Sequence, residues 1–414
     1  MKCVSELSET CRRPTLTEKN KKPERTLLSV FLRALELVPQ LRSDFLQMCD
    51  YGAGRTCNYA SYMETTYPAG KYPDSRPDGL LTCQRGKNSW SAFVEAKAND
   101  SKIRPEQIQD YASLAAKLDV DAVISISNEF ARVPTELPFH IPANKQKKRV
   151  FFHFAWAELR GLIEQLSNDP SLSDMERGVL SDVVAFFWEK ASGITTFDLM
   201  PKEWPDFVRS SGVGVGFSAR TPGITEIIKG WQQERRDLRN KLAHSLGVQV
   251  DLRHEIGVRA EFSDILNADR KRLADEYELT SRYFFKELSV TMDLLAELQD
   301  RKISATVDVP IPENKGARAL TTWIAKATQD FDANKTFVVF TWKGKNNENA
   351  LSLTSLRADP DRLNEGRKEA PKSVRIVRQI HEVKRFSSRK SFILDAEALC
   401  INLASEMKSV GIIA

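Results

Sequence analysis

The sequence predicts an α/β protein with a mixed sheet in its first part, a helical region after it, and a second α/β or α+β domain. An amphipathic stretch at 26–49 is followed by two β-like runs, by a second amphipathic helix and by a β-branched run at 122–126. This α-β-β-α-β order over residues 26–154 favours a mixed sheet with helices on both faces. The length of 414 residues suggests two or three domains.

The first helix is predicted at 26–49, where Leu28, Phe31, Leu32 and Leu35 recur at helical spacing. Pro39 should end or kink this helix, because proline lacks a backbone N–H. A loop-rich stretch rich in Gly, Tyr, Thr and Pro follows at 50–75, with one short strand predicted near 62–66.

Two strands are predicted at 79–82 and 91–96, joined by the turn-prone residues 85–88. The next helix should begin at Pro105, since proline is favoured in the first helical turn. Its apolar positions Ile108, Tyr111, Ala115 and Leu118 lie on one face. The strand predicted at 122–126 completes the α-β-β-α-β order.

The remaining pattern is read from periodicity alone. It predicts strands at 149–154, 247–253, 257–262, 303–309, 336–342, 350–356, 373–383 and 391–395, and helices at 155–167, 174–190, 222–245, 268–299, 316–330 and from 396 onward. We divide the chain into a basic flexible arm (1–25), a first domain (26–165), a helical extension (166–246) and a C-terminal domain (247–414).

The composition is that of an ordinary globular protein, with 41% hydrophobic and 28% charged residues. No apolar run approaches the ~18 residues of a membrane span, and no apolar signal core follows the basic N-terminus. The six cysteines form no Cys-x-x-Cys pair, and their scatter fits a reducing cytosol. We therefore expect a cytoplasmic protein without membrane association. The net charge of +5 permits an anionic partner.

Asp78, Glu95 and Lys97 form the most informative pattern in the chain. Asp78 precedes one predicted strand, and Glu95 and Lys97 lie on the next, where residues two apart share a face. Carboxylates are ligands for Mg²⁺, and an ammonium can orient a water and offset phosphate charge. A Glu–Lys pair on a strand is commonly a solvated surface pair. Here it lies within the hydrophobic run 90–98, where charges cost free energy.

Pro77-Asp78 followed by Glu95-Ala96-Lys97, within an α-β-β-α-β order, resembles the PD-(D/E)xK nuclease superfamily over residues 26–165. The resemblance extends to Gln107 and Tyr111 on the following helix. It implies a restriction-endonuclease-like fold that uses Mg²⁺ or Mn²⁺ to hydrolyse phosphodiester bonds. Asp78 and Glu95 would bind the metal, Lys97 would position the water and phosphate, and Gln107 would support the site.

The resemblance also suggests a further acidic ligand, for which Glu64 is the better candidate and Glu36 the alternative. Tyr111 is assigned to substrate binding, although its place on the apolar stripe is equally typical of a core residue. Lys147 and Lys148 belong to a basic run that can contact phosphates. The alternative for that run is a solvated loop.

We expect a metal-dependent deoxyribonuclease with DNA as its partner, acting in restriction, phage defence or repair. One alternative is a non-catalytic nucleic-acid-binding or stress-response protein that keeps the fold. Another is a metal-independent ribonuclease, because Arg239 and His244 resemble the Arg-x(4–6)-His motif of HEPN ribonucleases. A helix-surface arginine cluster with a C-terminal histidine explains the same residues without catalysis. The sequence leaves open cleavage specificity, the role of 247–414 and the oligomeric state, for which a homodimer is one candidate.

Overall fold

A computed structural model describes the chain except residues 9–10, 18–21, 53–55, 68–74, 132, 142–149, 213–216, 219–220, 254–261, 313–314, 345–346, 366 and 414, and the side chains of 262–263. The chain forms two compact units, Met1–Thr196 and Phe197–Ala414. No described helix is long and apolar enough to cross a bilayer.

The first unit is built on a five-stranded sheet. Its helices are α1 (Lys2–Ser5), α2 (Pro23–Leu37), α3 (Pro39–Met48), α4 (Pro105–Leu118), α5 (Trp156–Ser167) and α6 (Asp174–Trp188), followed by a 3₁₀ turn at Lys190–Ser192. Its strands are β1 (Asn58–Met63), β2 (Gly79–Arg85), β3 (Asn88–Ala96), β4 (Ala122–Ser127) and β5 (Val150–Ala155).

The strands of this sheet lie in the order β1-β2-β3-β4-β5. The first three pair antiparallel, and β3, β4 and β5 pair parallel. One face packs against α2, α3, α5 and α6, and the other packs against α4. The predicted mixed sheet with helices on both faces is therefore confirmed.

Local sequence explains two of its boundaries. Val38 has an extended backbone, as expected before a proline, so the predicted helix at 26–49 is divided into α2 and α3. Gly86 has a φ of +61° in the two-residue turn between β2 and β3. Such hairpin turns need left-handed residues, which glycine adopts without steric cost.

Several described residues near the N-terminus pack within the first unit, although the sequence predicts a basic flexible arm at 1–25. Cys3 in α1 is fully buried in the cluster on the α4 face of the sheet. Arg12 makes an isolated β-bridge with Met63. The backbone of Thr15 exchanges two hydrogen bonds with the Ser29 hydroxyl, at 2.8 and 2.9 Å.

The second unit is built on a seven-stranded sheet. Its helices are α7 (Trp204–Ser211), α8 (Ile224–Leu246), α9 (Phe262–Asp275), α10 (Ala317–Ala327), α11 (Leu353–Ala358), α12 (Val383–Ser387) and α13 (Arg389–Ser409), with a 3₁₀ turn at Pro360–Leu363. Its strands are β6 (Val250–Arg253), β7 (Glu278–Phe285), β8 (Val290–Glu297), β9 (Lys302–Val309), β10 (Thr336–Thr341), β11 (Glu348–Ser352) and β12 (Ser373–His381).

All neighbours in this sheet pair antiparallel, in the order β11-β10-β12-β9-β8-β7-β6. Helices α8 and α13 contribute to its core. The sequence placed a domain boundary near 246, whereas the second compact unit begins at Phe197. The helical extension expected at 166–246 is therefore divided between the two units.

The long helix predicted at 268–299 is wrong. Helix α9 ends at Asp275, and β7 and β8 follow. Along β7 the buried residues alternate with partly exposed ones, which is the period of a strand. Ser289 has a φ of +50° and lies in the turn that joins the two strands.

Three other predicted strands differ from the structure. The segment 391–395 lies inside α13, whose first turn is capped by the Ser388 hydroxyl accepting from the Ser391 amide. The strand predicted at 350–356 ends at Ser352, and α11 follows. Of the strand predicted at 257–262, residues 257–261 lie outside the described residues, and Phe262 begins α9.

Candidate active site

Asp78 and Glu95 are brought together by the antiparallel pairing of β2 and β3, in which Gly79 lies opposite Val94. The Ala96 amide donates to Asp78 Oδ2 at 3.0 Å. Gly79 allows a close approach to α2, since a Cβ there would lie 3.3 Å from Leu32 Cδ1. The residue types predicted from the sequence therefore meet at one end of these two strands.

The carboxyl groups of Asp78 and Glu95 interact electrostatically where the protein largely excludes water. The Glu95 side chain is 0% exposed, and burial together with the charge of Asp78 raises its pKa to about 7. Burial also raises the pKa of Asp78, opposed by the Ala96 amide, the Lys97 charge and a hydrogen bond with Glu95. Two acids in this arrangement favour sharing a proton or a cation.

Lys97 is the cation nearest this carboxyl pair among the described residues. Its ammonium contacts Glu95 Oε1, and its charge opposes the rise in the pKa of Glu95. The backbone beneath it is fixed, because the Lys97 amide donates to the Ile126 carbonyl at 2.8 Å and its carbonyl accepts from Trp156 Nε1 at 2.7 Å. The side chain remains 21% exposed, so the ammonium can reach solvent.

Helix α4 supplies the other contact with Glu95. The Tyr111 hydroxyl lies 2.9 Å from Glu95 Oε2 and 2.9 Å from the Arg76 carbonyl oxygen. Gln107 Nε2 donates to the same hydroxyl at 2.8 Å. Tyr111 is only 3% exposed. Tyr111 is therefore a buried residue that orients Glu95, and its assignment to substrate binding stays a prediction.

Gln107 lies where the sequence places it, one helical turn before Tyr111. Its Oε1 is buried and has no hydrogen-bond partner among the described residues. An acceptor in that condition costs free energy unless a water or ligand donates to it.

Glu64 lies beside the backbone of Asp78, because its amide donates to the Asp78 carbonyl at 2.7 Å. Its carboxylate, however, pairs with two arginines: Oε1 lies 2.5 Å from Arg25 Nη2 and 3.1 Å from Arg76 Nη2. The described part of the chain contains no group of three or more His, Cys, Asp or Glu side chains arranged to hold a metal. Glu64 as a third ligand therefore stays a prediction.

Glu36, the weaker candidate, is engaged elsewhere. Its carboxylate pairs with Arg13 at 2.7 Å and with Arg33 at 2.6 Å, and it accepts from the Ser61 hydroxyl at 2.9 Å. It ties α2 to β1 and has a structural role.

Glu24 was missed from the sequence. It lies in the first turn of α2, and its negative charge contributes to the raised pKa of Asp78. Pro23 is a signal for the first helical turn and would have placed Glu24 in the helix. The predicted start at residue 26 excluded it.

Ser125 and His153 were also missed. They lie in register with Glu95 across β3, β4 and β5. His153 Nδ1 lies 2.8 Å from Ser125 Oγ, and Nε2 lies 2.8 Å from the Glu129 carbonyl oxygen. Burial lowers the pKa of His153 to about 4, so the neutral ring donates from Nε2 and accepts at Nδ1. This ring fixes the loop that follows β4.

The remaining predicted residues belong to the second unit or lie outside the described residues. Lys147 and Lys148 lie outside the described residues. Arg239 and His244 lie in α8, in the second unit. Arg239 donates from Nε and Nη2 to Asn240 Oδ1 at 3.1 and 2.8 Å, and His244 is exposed.

Comparison of the chain with models of known families, with curated proteins and with solved structures found no match. The fold and site define a mixed α/β protein in which the buried Glu95 and the half-buried Asp78 form a carboxyl pair, with a neighbouring lysine and a supporting Gln–Tyr pair.

Proposed function

We propose that the chain is a metal-dependent nuclease of the PD-(D/E)xK type that hydrolyses phosphodiester bonds in DNA. The observation that carries this proposal is the convergence of Asp78 and Glu95, with Lys97 in contact with Glu95. The α-β-β-α-β order of a restriction-endonuclease-like core is compatible with the mixed sheet. A role in restriction, phage defence or repair is part of the proposal by analogy of fold.

The residues at the site fit a divalent cation. Mg²⁺ is commonly held by one or two carboxylates with waters and phosphate oxygens, and Asp78 and Glu95 supply two. Burial and the charge of Asp78 raise the pKa of Glu95 to about 7 even with Lys97 in contact, and a bound cation would favour the charged form of both carboxyl groups. The unpaired Gln107 Oε1 adds an acceptor for a ligand water. When bound, Mg²⁺ or Mn²⁺ would polarise the phosphodiester and make water more acidic.

The side chains of the chain have distinct tasks in this proposal. Asp78 and Glu95 would hold the cation, and the Tyr111 hydroxyl keeps the Glu95 carboxylate in one orientation. Lys97, anchored through its backbone, orients the attacking water and offsets negative charge on the phosphate. Preorganised charges of this kind stabilise a transition state without reorganising during the reaction.

Plasmid cleavage in Mg²⁺ or Mn²⁺ tests this function. We expect the wild-type chain to cleave DNA, and Asp78→Asn and Lys97→Ala each to lower the rate by about 10²-fold or more, the effect of removing one preorganised charged group. Asp110→Asn is the matched control, because Asp110 is exposed on α4 and has no place in the carboxyl pair. Circular dichroism spectra and thermal unfolding should show that every variant is folded.

Equal cleavage by the wild type, Asp78→Asn and Lys97→Ala would contradict the assignment of Asp78 and Lys97 to a nuclease site. DNA binding without cleavage by any metal-loaded sample would instead support the non-catalytic alternative. RNA cleavage in EDTA that is lost in His244→Ala would support the metal-independent ribonuclease.

A further inference from the structure

A cavity lies in the second unit, whereas the carboxyl pair belongs to the first. It has a volume of about 490 Å³, and its walls come from helices α8 and α9 and from strands β6 to β9 and β12. This volume lies within the range of about 300–1,000 Å³ that is typical of small-molecule sites. The cavity was not predicted from the sequence, because its walls come from segments more than 100 residues apart.

Positive charge exceeds negative charge in these walls. The cationic wall residues are Arg235, Arg253, Lys271, Arg272, Arg282 and Arg375, and the acidic ones are Asp269, Glu276, Glu278 and Asp293. Three ion pairs form within the walls: Arg235–Asp269 at 3.2 Å, Arg272–Glu276 at 3.6 Å and Arg282–Asp293 at 2.6 Å. Arg375 pairs with Glu348, which is not a wall residue.

Arg253, Lys271 and Arg375 therefore have no acidic partner within the walls, and Glu278 is the only acidic wall residue without a cationic partner there. The Arg253 guanidinium lies over the Phe284 ring at 3.5 Å and has no hydrogen bond or ion pair among the described residues. The exposed Lys271 has none either, within the same part of the chain. Arg375 Nε is buried without a hydrogen-bond partner.

We propose that this cavity binds a small phosphate-bearing anion about the size of a nucleotide. Arg253 in β6 and Lys271 in α9 have no ion pair among the described residues, and Arg375 in β12 pairs only with Glu348 outside the walls, so a multivalent anion can contact cations from more than one element. Guanidinium groups match phosphate oxygens in a planar, two-point geometry. The Phe284 ring restricts the Arg253 side chain, which lowers the entropy lost when the guanidinium binds an oxyanion.

Calorimetric titration of the full-length chain in EDTA tests the proposal independently of cleavage. The probes are ADP, inorganic pyrophosphate, citrate and a ten-nucleotide single-stranded DNA. We expect ADP and pyrophosphate to bind, and Arg253→Glu and Lys271→Glu each to weaken their binding at least about tenfold, because each reversal turns an attraction into a repulsion. The matched control Lys326→Glu, on an exposed position of α10, should stay within about twofold of the wild type.

Several results would overturn the proposal. One is that neither ADP nor pyrophosphate binds to the wild type at millimolar concentration. Another is that Lys326→Glu weakens their binding as much as Arg253→Glu and Lys271→Glu do. If citrate binds as tightly as pyrophosphate, the cavity recognises polycarboxylates as well and is not specific for phosphate groups. Binding of the oligonucleotide alone would make the cavity a nucleic-acid groove. Since Arg253 and Lys271 are both surface residues, their variants should fold, and thermal unfolding checks this.

Discussion

Glu95 shows how far a single residue can be predicted from sequence. Its position in an apolar run predicts a buried charge, and the structure leaves it 0% exposed. The two-residue period of a strand predicts that Lys97 lies on the same face as Glu95. The short predicted hairpin brings Asp78 close to both. The Tyr111 contact and the Glu64 ion pairs with Arg25 and Arg76 depend on partners distant in sequence. Local spacing holds no information about those partners.

His153 predicts a specific pH dependence of stability. Its pKa is lowered from 6.5 to about 4 by burial, so the unfolded chain binds a proton more readily than the folded chain between these values. The stability that His153 contributes is present above pH 6.5 and is lost as the pH falls toward 4. We expect a loss of up to about 3 kcal/mol in the free energy of unfolding across this range.

Urea unfolding of the wild type and His153→Gln, measured from pH 7 to pH 4.5, checks this expectation. The variant should be less stable at pH 7 but should show a flatter decline with falling pH. His140→Gln is the control, because His140 is exposed, and it should follow the wild type. A decline in His153→Gln as steep as that of the wild type would contradict the proposed neutral state.

Secondary elements were predictable where one periodicity dominates. Helix α4 and strand β4 match the sequence closely because their apolar residues fit only a helix or only a strand. The segment 278–297 fits both: Leu279 and Tyr283 are spaced as on a helix, while burial alternates as on a strand. Pairing with β9 resolves this ambiguity, and no local pattern contains that pairing.

The attachment of α4 to β3 provides a prediction at this scale. In Tyr111→Phe the hydroxyl that joins Gln107 to Glu95 is lost, which leaves buried polar groups without a partner. We expect a decrease of about 1–3 kcal/mol in the free energy of unfolding, together with slower metal-dependent cleavage.

Urea unfolding measures the first effect, and the cleavage assay measures the second. Tyr51→Phe is the matched control, because Tyr51 stacks on Trp90 and its hydroxyl has no hydrogen bond among the described residues. It should stay within about 0.5 kcal/mol of the wild type. If both variants lose the same stability, the Tyr111 hydroxyl does not join these elements.

The division into two units gives a prediction for the whole molecule. A fragment ending at Thr196 keeps the complete five-stranded sheet and its helices. A fragment ending at residue 246 would also contain α8, whose buried face includes Trp231 and Leu242 of the second core. We expect the 1–196 fragment to be monodisperse and to unfold cooperatively, and the 1–246 fragment to aggregate through that exposed apolar face.

Size-exclusion chromatography and thermal unfolding distinguish these fragments. A well-behaved 1–246 fragment beside an unfolded 1–196 fragment would favour the boundary expected from the sequence. That boundary rested on the change of pattern after Gly247, which marks the end of a helix. The long-range contacts of α8 place it in the second unit: Lys241 pairs with Glu397, and Lys408 donates to the Leu246 carbonyl at 2.6 Å.

The strand order of the second sheet has a consequence for folding during synthesis. Strand β12 lies between β9 and β10, although both emerge from the ribosome long before it. Until residue 381 is available, the β10–β11 hairpin has no partner, and one edge of β9 stays unpaired. Unpaired strand edges in incomplete chains promote association between molecules. Completion of the second unit should therefore be a late and non-local event, and this half of the nascent chain should depend more on chaperones than the first.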